Sequence, residues 1–586
     1  MVGCVHVEGF VTAPRRGWVR VRPGRAAPPR APPGRGRVHT SDVTTSLAAP
    51  PGHAEDVHGE PPWWVGAVLG LVSAWAGLAV AELVSGIGTS LRSPVVSVGD
   101  RVIDGAPRWL KTWAIDTFGT ADKTVLLVGV AVLLALFAVG IGVLAVRRGR
   151  VAGLVGVAVF AAIGAAASLG RGGSGWQAPI PSVVGGLVAA AVLVLLMQRA
   201  ALPRHGTRSA SSASGAEPMP RPRWKGDDAA TRRQFLGTAA AITLVGGLAA
   251  ATGRWLRDRG VAAAQRLTVV LPRAARPLPE PPAGVELGVE GNSPFFTPND
   301  DFYRIDTALT VPSVDLATWT LKVTGDVDSP ITLSYQELLD RPMIEADITL
   351  ACVSNEIGGD LVGNARWLGC RLDDLLAEAG IGSGADQIVG RSVDGFTAGF
   401  PTAMLDGRDA LVAIGMNGEP LPTEHGFPAR LIVPGLYGYV SATKWLAEIE
   451  LTTFDAFAAY WIPRGWAVEG PIKTQSRVVT PRAGGRVPAD VPGVIAGVAW
   501  APTRGISKVE VSIDDGPWRE ATLGEEYADT TWRQWMIDWT PAEGRREVRV
   551  RATDGTGETQ TEVETDVAPD GASGWQMAAI RAVRGG

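Results

Sequence analysis

The chain has 586 residues and a formal net charge of −4. That length calls for several domains, and the near-balanced charge excludes a nucleic-acid binder that works by bulk attraction. Apolar runs are concentrated before about residue 252, so a membrane region is expected to precede a water-soluble one.

Residues 1–60 carry eight arginines among prolines and glycines, as in RVRPGRAAPPRAPPGRGR. Such a stretch has too little apolar surface to form a core and is expected to be a disordered basic tail. Residues 61–252 contain five runs of membrane-spanning length: 63–84, 124–146, 151–169, 179–197 and 235–252. The third and fourth are rich in glycine and alanine, which suits a tightly packed helical hairpin. Glu82 is the ionisable group within a span, near one end, where a carboxylate is ordinarily solvated.

The last span is preceded by TRRQFLG at 231–237. An arginine pair is a common flank of a span, but Arg-Arg-x-Phe-Leu before a weakly apolar helix resembles the twin-arginine export signal. An internal signal retained as an anchor is expected, with VAAAQ at 261–265 the candidate cleavage site. Loop charge gives the same orientation. The tail, the loop Arg147–Arg148–Arg150, and the 199–234 connection (eight basic against three acidic residues) are basic, and 85–123 and 170–178 are closer to balanced. The N-terminus is therefore expected inside and everything after 252 outside. The spans contain no histidine to ligate a transmembrane haem, so anchoring is the role expected of them and no haem is expected. Residues 253–290, with RPLPEPP, are expected to form a stiff proline-rich tether.

Three motif groups lie in 291–455. The first is NDDFYRID at 299–306. The second is TLACVSNEIGGDLVGNARWLG, which holds Cys352 between an apolar run and a glycine-rich turn. The third is MNGEPLPTEHGFPARLIVPGLYGYVSATKWL, at 416–446. A thiolate is a soft donor suited to a redox-active transition metal. With only three cysteines present, a Cys352–Cys370 disulfide is the competing reading of an exported domain. Leu368, Leu372, Leu375 and Leu376 around Cys370 argue instead for a small buried hydrophobe.

Together these motifs resemble the molybdopterin domain of sulfite-oxidase-type oxidoreductases, in a membrane-anchored bacterial branch. The resemblance implies Cys352 as the protein ligand to molybdenum, with Arg304 beside it in catalysis. It implies Asn299, Phe302, Tyr303, Arg304, Asn355, His425, Arg430, Ser441 and Lys444 as binders of the molybdenum–molybdopterin cofactor. Converging cations, amides and hydroxyls suit a dianionic phosphate. Asn364, Arg366 and Trp367 fall in the same neighbourhood, and Asp394 in VDGF is expected to orient the site. The chain departs from the family in two places: CVSNEI puts Glu356 and Ile357 where a basic pair is usual, and Asp306 replaces a histidine. Lost cations weaken a site for small dianions, so sulfite is not transferred as the substrate.

Residues 456–586 read as short alternating strands separated by turns, an antiparallel sandwich. They resemble the immunoglobulin-like dimerisation domain of the family, which makes a homodimer the implied assembly. Trp500, Trp518, Trp535 and Trp539 are expected in the core or at an interface, and Lys473 and Arg477 at the site rim or the domain junction. The fold class is therefore multidomain: about five transmembrane helices, an α+β molybdopterin domain and an immunoglobulin-like β-sandwich.

The implied activity is a two-electron reaction, oxygen-atom transfer with molybdenum cycling between Mo(VI) and Mo(IV), on a small molecule of the sulfur-containing kind outside the cytoplasmic membrane of a bacterium. A separate haem protein or quinone-linked partner would exchange the electrons. Two other classes remain open on sequence: a noncatalytic membrane receptor or scaffold, and a transporter regulated by its outer domain.

Overall fold

A computed structural model describes residues 62–87, 91–107, 113, 117, 122–169, 176–200, 229–258 and 261–584. The basic tail at 1–60 and residues 201–228 of the expected cytoplasmic loop lie outside them.

Among the described residues, five helices are long and apolar enough to cross a membrane. They are α1 (Trp63–Ser85), α3 (Asp122–Arg148), α4 (Arg150–Leu169), α5 (Ile180–Arg199) and α6 (Ala229–Asp258). Helix α1 packs against α3, α5 and α6. Small residues permit the α1–α3 contact: a Cβ on Gly142 would lie 1.9 Å from the Gly66 carbonyl oxygen.

The stretch between the first two spans, expected as a connection, contains a further helix, α2 (Pro94–Gly105). Its start is written locally: the Ser93 hydroxyl accepts from the Val96 amide, and Pro94 occupies the first turn. Ser93 also donates to Glu82, so that carboxylate is tied to the turn into α2.

The 253–290 segment is not a free tether. Helix α7 (Val261–Arg266) follows α6 almost directly and buries Ala262 among Phe302, Ile344 and Trp367. Gln265 donates to Asp315 at 2.8 Å, and Arg266 reaches the Pro420 and Leu421 carbonyls at 3.0 Å. Beyond α7, Arg276 bridges to Ile344 and the Leu278 amide donates to Glu345. The Pro279 carbonyl accepts from Arg366 and Tyr527. The prolines keep the chain extended, and its polar groups find partners along the folded domain. It is a strap.

The soluble part is built on four sheets. Strands β1 (Thr320–Gly325), β2 (Ile331–Ser334), β5 (Gln387–Ser392), β6 (Thr397–Pro401) and β10 (Leu446–Thr452) form one, ordered β2-β1-β10-β5-β6. The second contains β3 (Met343–Ala351), β4 (Val362–Arg371), β7 (Leu411–Met416) and β8 (Glu419–Pro420) in that order, with β9 (Arg430–Ile432) paired to β7. Short helices α8 (Tyr335–Leu339), α9 (Leu372–Ala379) and α10 (Gly438–Ser441) link them.

After residue 474 the expected sandwich is present as two facing sheets. One is β11 (Gln475–Thr480), β13 (Gly493–Trp500), β17 (Arg533–Trp539) and β16 (Thr522–Leu523). The other contains β12 (Arg486–Pro488), β19 (Gln576–Val583), β18 (Gly544–Asp554), β14 (Ile506–Ile513) and β15 (Arg519–Glu520). Trp535 and Trp539 belong to the core between them. Trp500 instead joins the core of the preceding domain, and Trp518 lies edge-on to Trp575. The two domains share hydrogen bonds as well: Thr349 bonds the backbone of Thr530 and Trp532.

Candidate cofactor site

Cys352 lies one residue beyond the β3–β4 ladder, where its amide still donates to the Leu361 carbonyl at 2.9 Å. The ladder thus fixes its position, and residues 353–361 form the loop around it. The thiol is buried, 2.9 Å from the Ser354 hydroxyl. Burial pushes its pKa up, opposed by its contacts with Ser354 and by the charge of Lys444.

The same ladder decides the disulfide question. Cys370 pairs with Met343 at the far end of the hairpin. Eight strand positions beyond Val362, at roughly 3.3 Å each, separate the two thiols by about 26 Å, far outside the reach of a disulfide. Both are free, and Cys370 is part of the apolar core with its thiol pushed up to about 12 by burial. Cys370→Ala is expected to lower stability by ~1 kcal/mol and leave activity unchanged, measured by denaturant unfolding and turnover. A loss of activity at unchanged stability would contradict this assignment.

The third motif folds as a turn, a short strand and a helix, and so delivers its basic residues inward. Arg430 opens β9 and is buried, its guanidinium 5.2 Å from the Trp367 ring centre. One of its terminal nitrogens donates to the His425 carbonyl at 3.0 Å, and its Nε has no partner. Burial brings its pKa down to about 10. His425 is held to about 4, chiefly by burial and then by Arg430, so the ring is neutral. Its Nε2 therefore donates to the Asn299 carbonyl, at 3.0 Å. Gly426 permits this packing: its φ is +112°, and a Cβ there would lie 3.1 Å from Lys444 Cα.

Lys444 donates to Asp306 at 3.0 Å and to the Glu424 carbonyl at 3.1 Å. Burial lowers its pKa to about 8 against the opposing pull of Asp306. Arg304 also bonds Asp306, at 2.8 Å, and its charge helps to hold Glu424 ionised. One carboxylate, Asp306, thus meets both cations, Arg304 and Lys444, while the Glu424 carboxylate bonds the Thr423 hydroxyl. Tyr303 is half-buried, within electrostatic reach of Cys352 and Arg430, and has its pKa raised chiefly by desolvation. Phe302 packs between Tyr303, Trp367 and His425.

Three of the expected binders turn their side chains to the protein. The Asn299 carboxamide donates to the Met416 carbonyl and accepts from Asn417. Asn355 accepts from the Leu361 amide and closes the cysteine loop. The Ser441 hydroxyl donates back to Leu436 and Tyr437. Arg366 also points away, into a paired contact with buried Asp347 beneath the strap, and Asn364 bonds Thr349 and Phe295. Asp394 keeps one buried carboxylate oxygen without a partner. Arg477 ties the sandwich to the cysteine loop through the Gly359 carbonyl, whereas Lys473 pairs with Asp570. Sequence reasoning missed Tyr437, whose phenol senses Cys352, and Asn417, which bonds Asn299 and Thr297. Asn417 had a local signal, the Asn-Gly turn; Tyr437 had none.

A buried guanidinium with an unmatched Nε beside His425, in the same domain as a buried free thiol, fits an anionic group against Arg430 and a soft metal on Cys352. The comparisons agree. Residues 308–461 match the family model described as an oxidoreductase molybdopterin binding domain. An oxidoreductase of Bacillus subtilis, YuiH, is 33% identical over 156 residues, which cover 27% of this chain and 76% of that protein. The chain belongs to the sulfite-oxidase-type molybdopterin-dependent oxidoreductases. Human mitochondrial sulfite oxidase is 30% identical over 304 residues, 44% of this chain and 55% of the relative. The chain thus spans about half the length of the mammalian sulfite oxidases it matches. Among solved structures, the sulfane dehydrogenase SoxCD of Paracoccus pantotrophus matches at 23% identity, with a TM-score of 0.43, over 49% of this chain and 82% of that one.

Proposed function

We propose that the chain is a membrane-anchored oxidoreductase that exchanges an oxygen atom with a small, uncharged sulfur compound outside the cytoplasmic membrane. The observation that carries this reading is the buried Cys352 thiol on the loop that closes the β3–β4 hairpin, together with the buried Arg430 guanidinium whose Nε has no partner. When bound, the molybdenum cofactor supplies two-electron chemistry and oxygen-atom exchange. Cys352 would hold the metal, and Arg430, Lys444 and neutral His425 the pterin and its phosphate. Asn299, Asn355 and Ser441 would fix the loops that carry these groups. Asp306 offsets the charge of Arg304 and Lys444, which disfavours oxyanions and leaves hydrogen bonding as the means of recognising a sulfoxide-like group. The sandwich is read as immunoglobulin-like and suited to pairing two copies of the chain. Metal and pterin analysis of the purified protein is the direct test: about one molybdenum and one pterin per chain are expected, and absence of both from protein made in a competent host would defeat the proposal.

The external location rests on loop charge and on Arg232 and Arg233 at the head of α6. Cofactor insertion requires a folded domain, which a twin-arginine route can carry. Changing both arginines to lysine keeps the charge and removes the guanidinium fork. Residues 291–586 are then expected to become shielded from protease added to spheroplasts. Cleavage at the wild-type level would exclude that route.

A further inference from the structure

Helix α2 lies between the helical bundle and the cofactor domain. One side packs on α4. On the other, Gly99 is so close to Leu309 that a Cβ would approach its Cδ1 to 2.7 Å, and just before the helix Arg92 bonds the Val393 carbonyl at 3.4 Å. Both contacts fall beside the cofactor site. Leu309 is three residues after Asp306, and the Val393 amide donates to the carbonyl of Trp445, next to Lys444. At the end of α6, α7 holds the same domain through buried Ala262. The cofactor domain is therefore attached to the bundle on two sides.

Under α2 the bundle contains a cavity of about 240 Å³, lined by Ser73, Ala74, Pro94, Val98, Phe137 and Ser182 among others. Its surface is almost wholly apolar. Ser73 donates to the Leu69 carbonyl of its own helix. Ser182 is 4% exposed, and its hydroxyl has no hydrogen-bond partner. A buried, unmatched hydroxyl in an apolar cavity favours a ligand that is mostly hydrocarbon but brings an acceptor.

We propose that this cavity binds a membrane quinone, which exchanges electrons with the cofactor domain held on α2. The inference rests on the oxidoreductase reading above. A quinone matches the cavity in both respects: its isoprenoid tail suits the apolar walls, and a ring carbonyl accepts from Ser182. It also matches the reaction. A quinol releases two electrons and two protons to become a quinone, and a sulfoxide takes up two of each to give a thioether and water. In the reverse direction water supplies the oxygen atom to a thioether, and the two electrons and two protons released reduce the quinone to the quinol. A phospholipid acyl chain would fill the walls and leave the hydroxyl unmatched.

The test uses the full-length, cofactor-loaded protein in nanodiscs, with Ala74→Phe to fill the cavity and Ser182→Ala to remove the donor. A photoreactive short-chain quinone is expected to label cavity-lining residues in the wild type and to lose that labelling in Ala74→Phe. Turnover driven by a short-chain quinol should fall about tenfold in each variant, with turnover driven by reduced viologen, which needs no membrane site, unchanged. Wild-type quinol-driven rates in both variants would overturn the proposal, as would labelling confined to the outer surface or a phospholipid chain in the cavity that quinone fails to displace. If viologen-driven turnover is absent in the wild type, the oxidoreductase reading itself fails, and the labelling still decides the cavity.

Discussion

Replacing Cys352 by serine is expected to abolish turnover while leaving the domain folded. Serine is close to cysteine in size, and the anchoring hydrogen bond at this position, from its amide to Leu361, comes from the backbone. What changes is the donor: an alcohol is a far weaker ligand for a redox-active metal than a thiolate. A loss of at least ~10³-fold, equivalent to ~4 kcal/mol of transition-state stabilisation, is anticipated. Steady-state turnover, normalised to metal and pterin content, is the measurement. Full activity in the serine variant would remove Cys352 from the chemistry.

Sulfite is expected to be a poor substrate, and Asp306 to be a main reason. Its carboxylate, 4% exposed, bonds both Arg304 and Lys444. A unit charge at ~4 Å is worth ~4 kcal/mol at an effective dielectric of about 20, but Arg304 is 39% exposed at its side chain and water screens it. A realistic residue is ~1 kcal/mol. Asp306→His should therefore raise kcat/KM for sulfite several-fold relative to a neutral sulfoxide, with steeper salt dependence. Wild-type sulfite turnover at or above ~10⁷ M⁻¹s⁻¹ would contradict the proposed substrate class.

The residues that carry this site differ in how far the sequence could show them. Cys352, His425, Arg430 and Lys444 stand in long local motifs, and a local motif folds as a local loop, so their convergence was legible. The direction of a short polar side chain was not. Asn299, Asn355 and Ser441 sit in those motifs, yet each satisfies a nearby backbone group or amide, a choice set by backbone geometry rather than spacing. The Asp306–Lys444 pair joins positions 138 residues apart. Helix α2 did announce itself through Ser93 and Pro94, but its brevity between two strong spans made it read as a connection. The strap was misread because proline-rich composition reports local stiffness and says nothing of partners such as Glu345, Arg366 and Tyr527.

That strap also bears on where the folding unit begins. Strand β3 is the edge of its sheet, and an uncovered edge offers free amides and carbonyls to any passing chain. Arg276 meets it at Ile344, and the amides of Ala275 and Arg276 turn toward the Met343 carbonyl. Residues upstream of 291 thus act as the sheet's guard against self-association. A water-soluble version of the enzyme cut at the apparent start of the cofactor domain would bare that edge along with the socket of Ala262. The natural boundary of the folded domain lies at α7, whose Ala262 is buried against it.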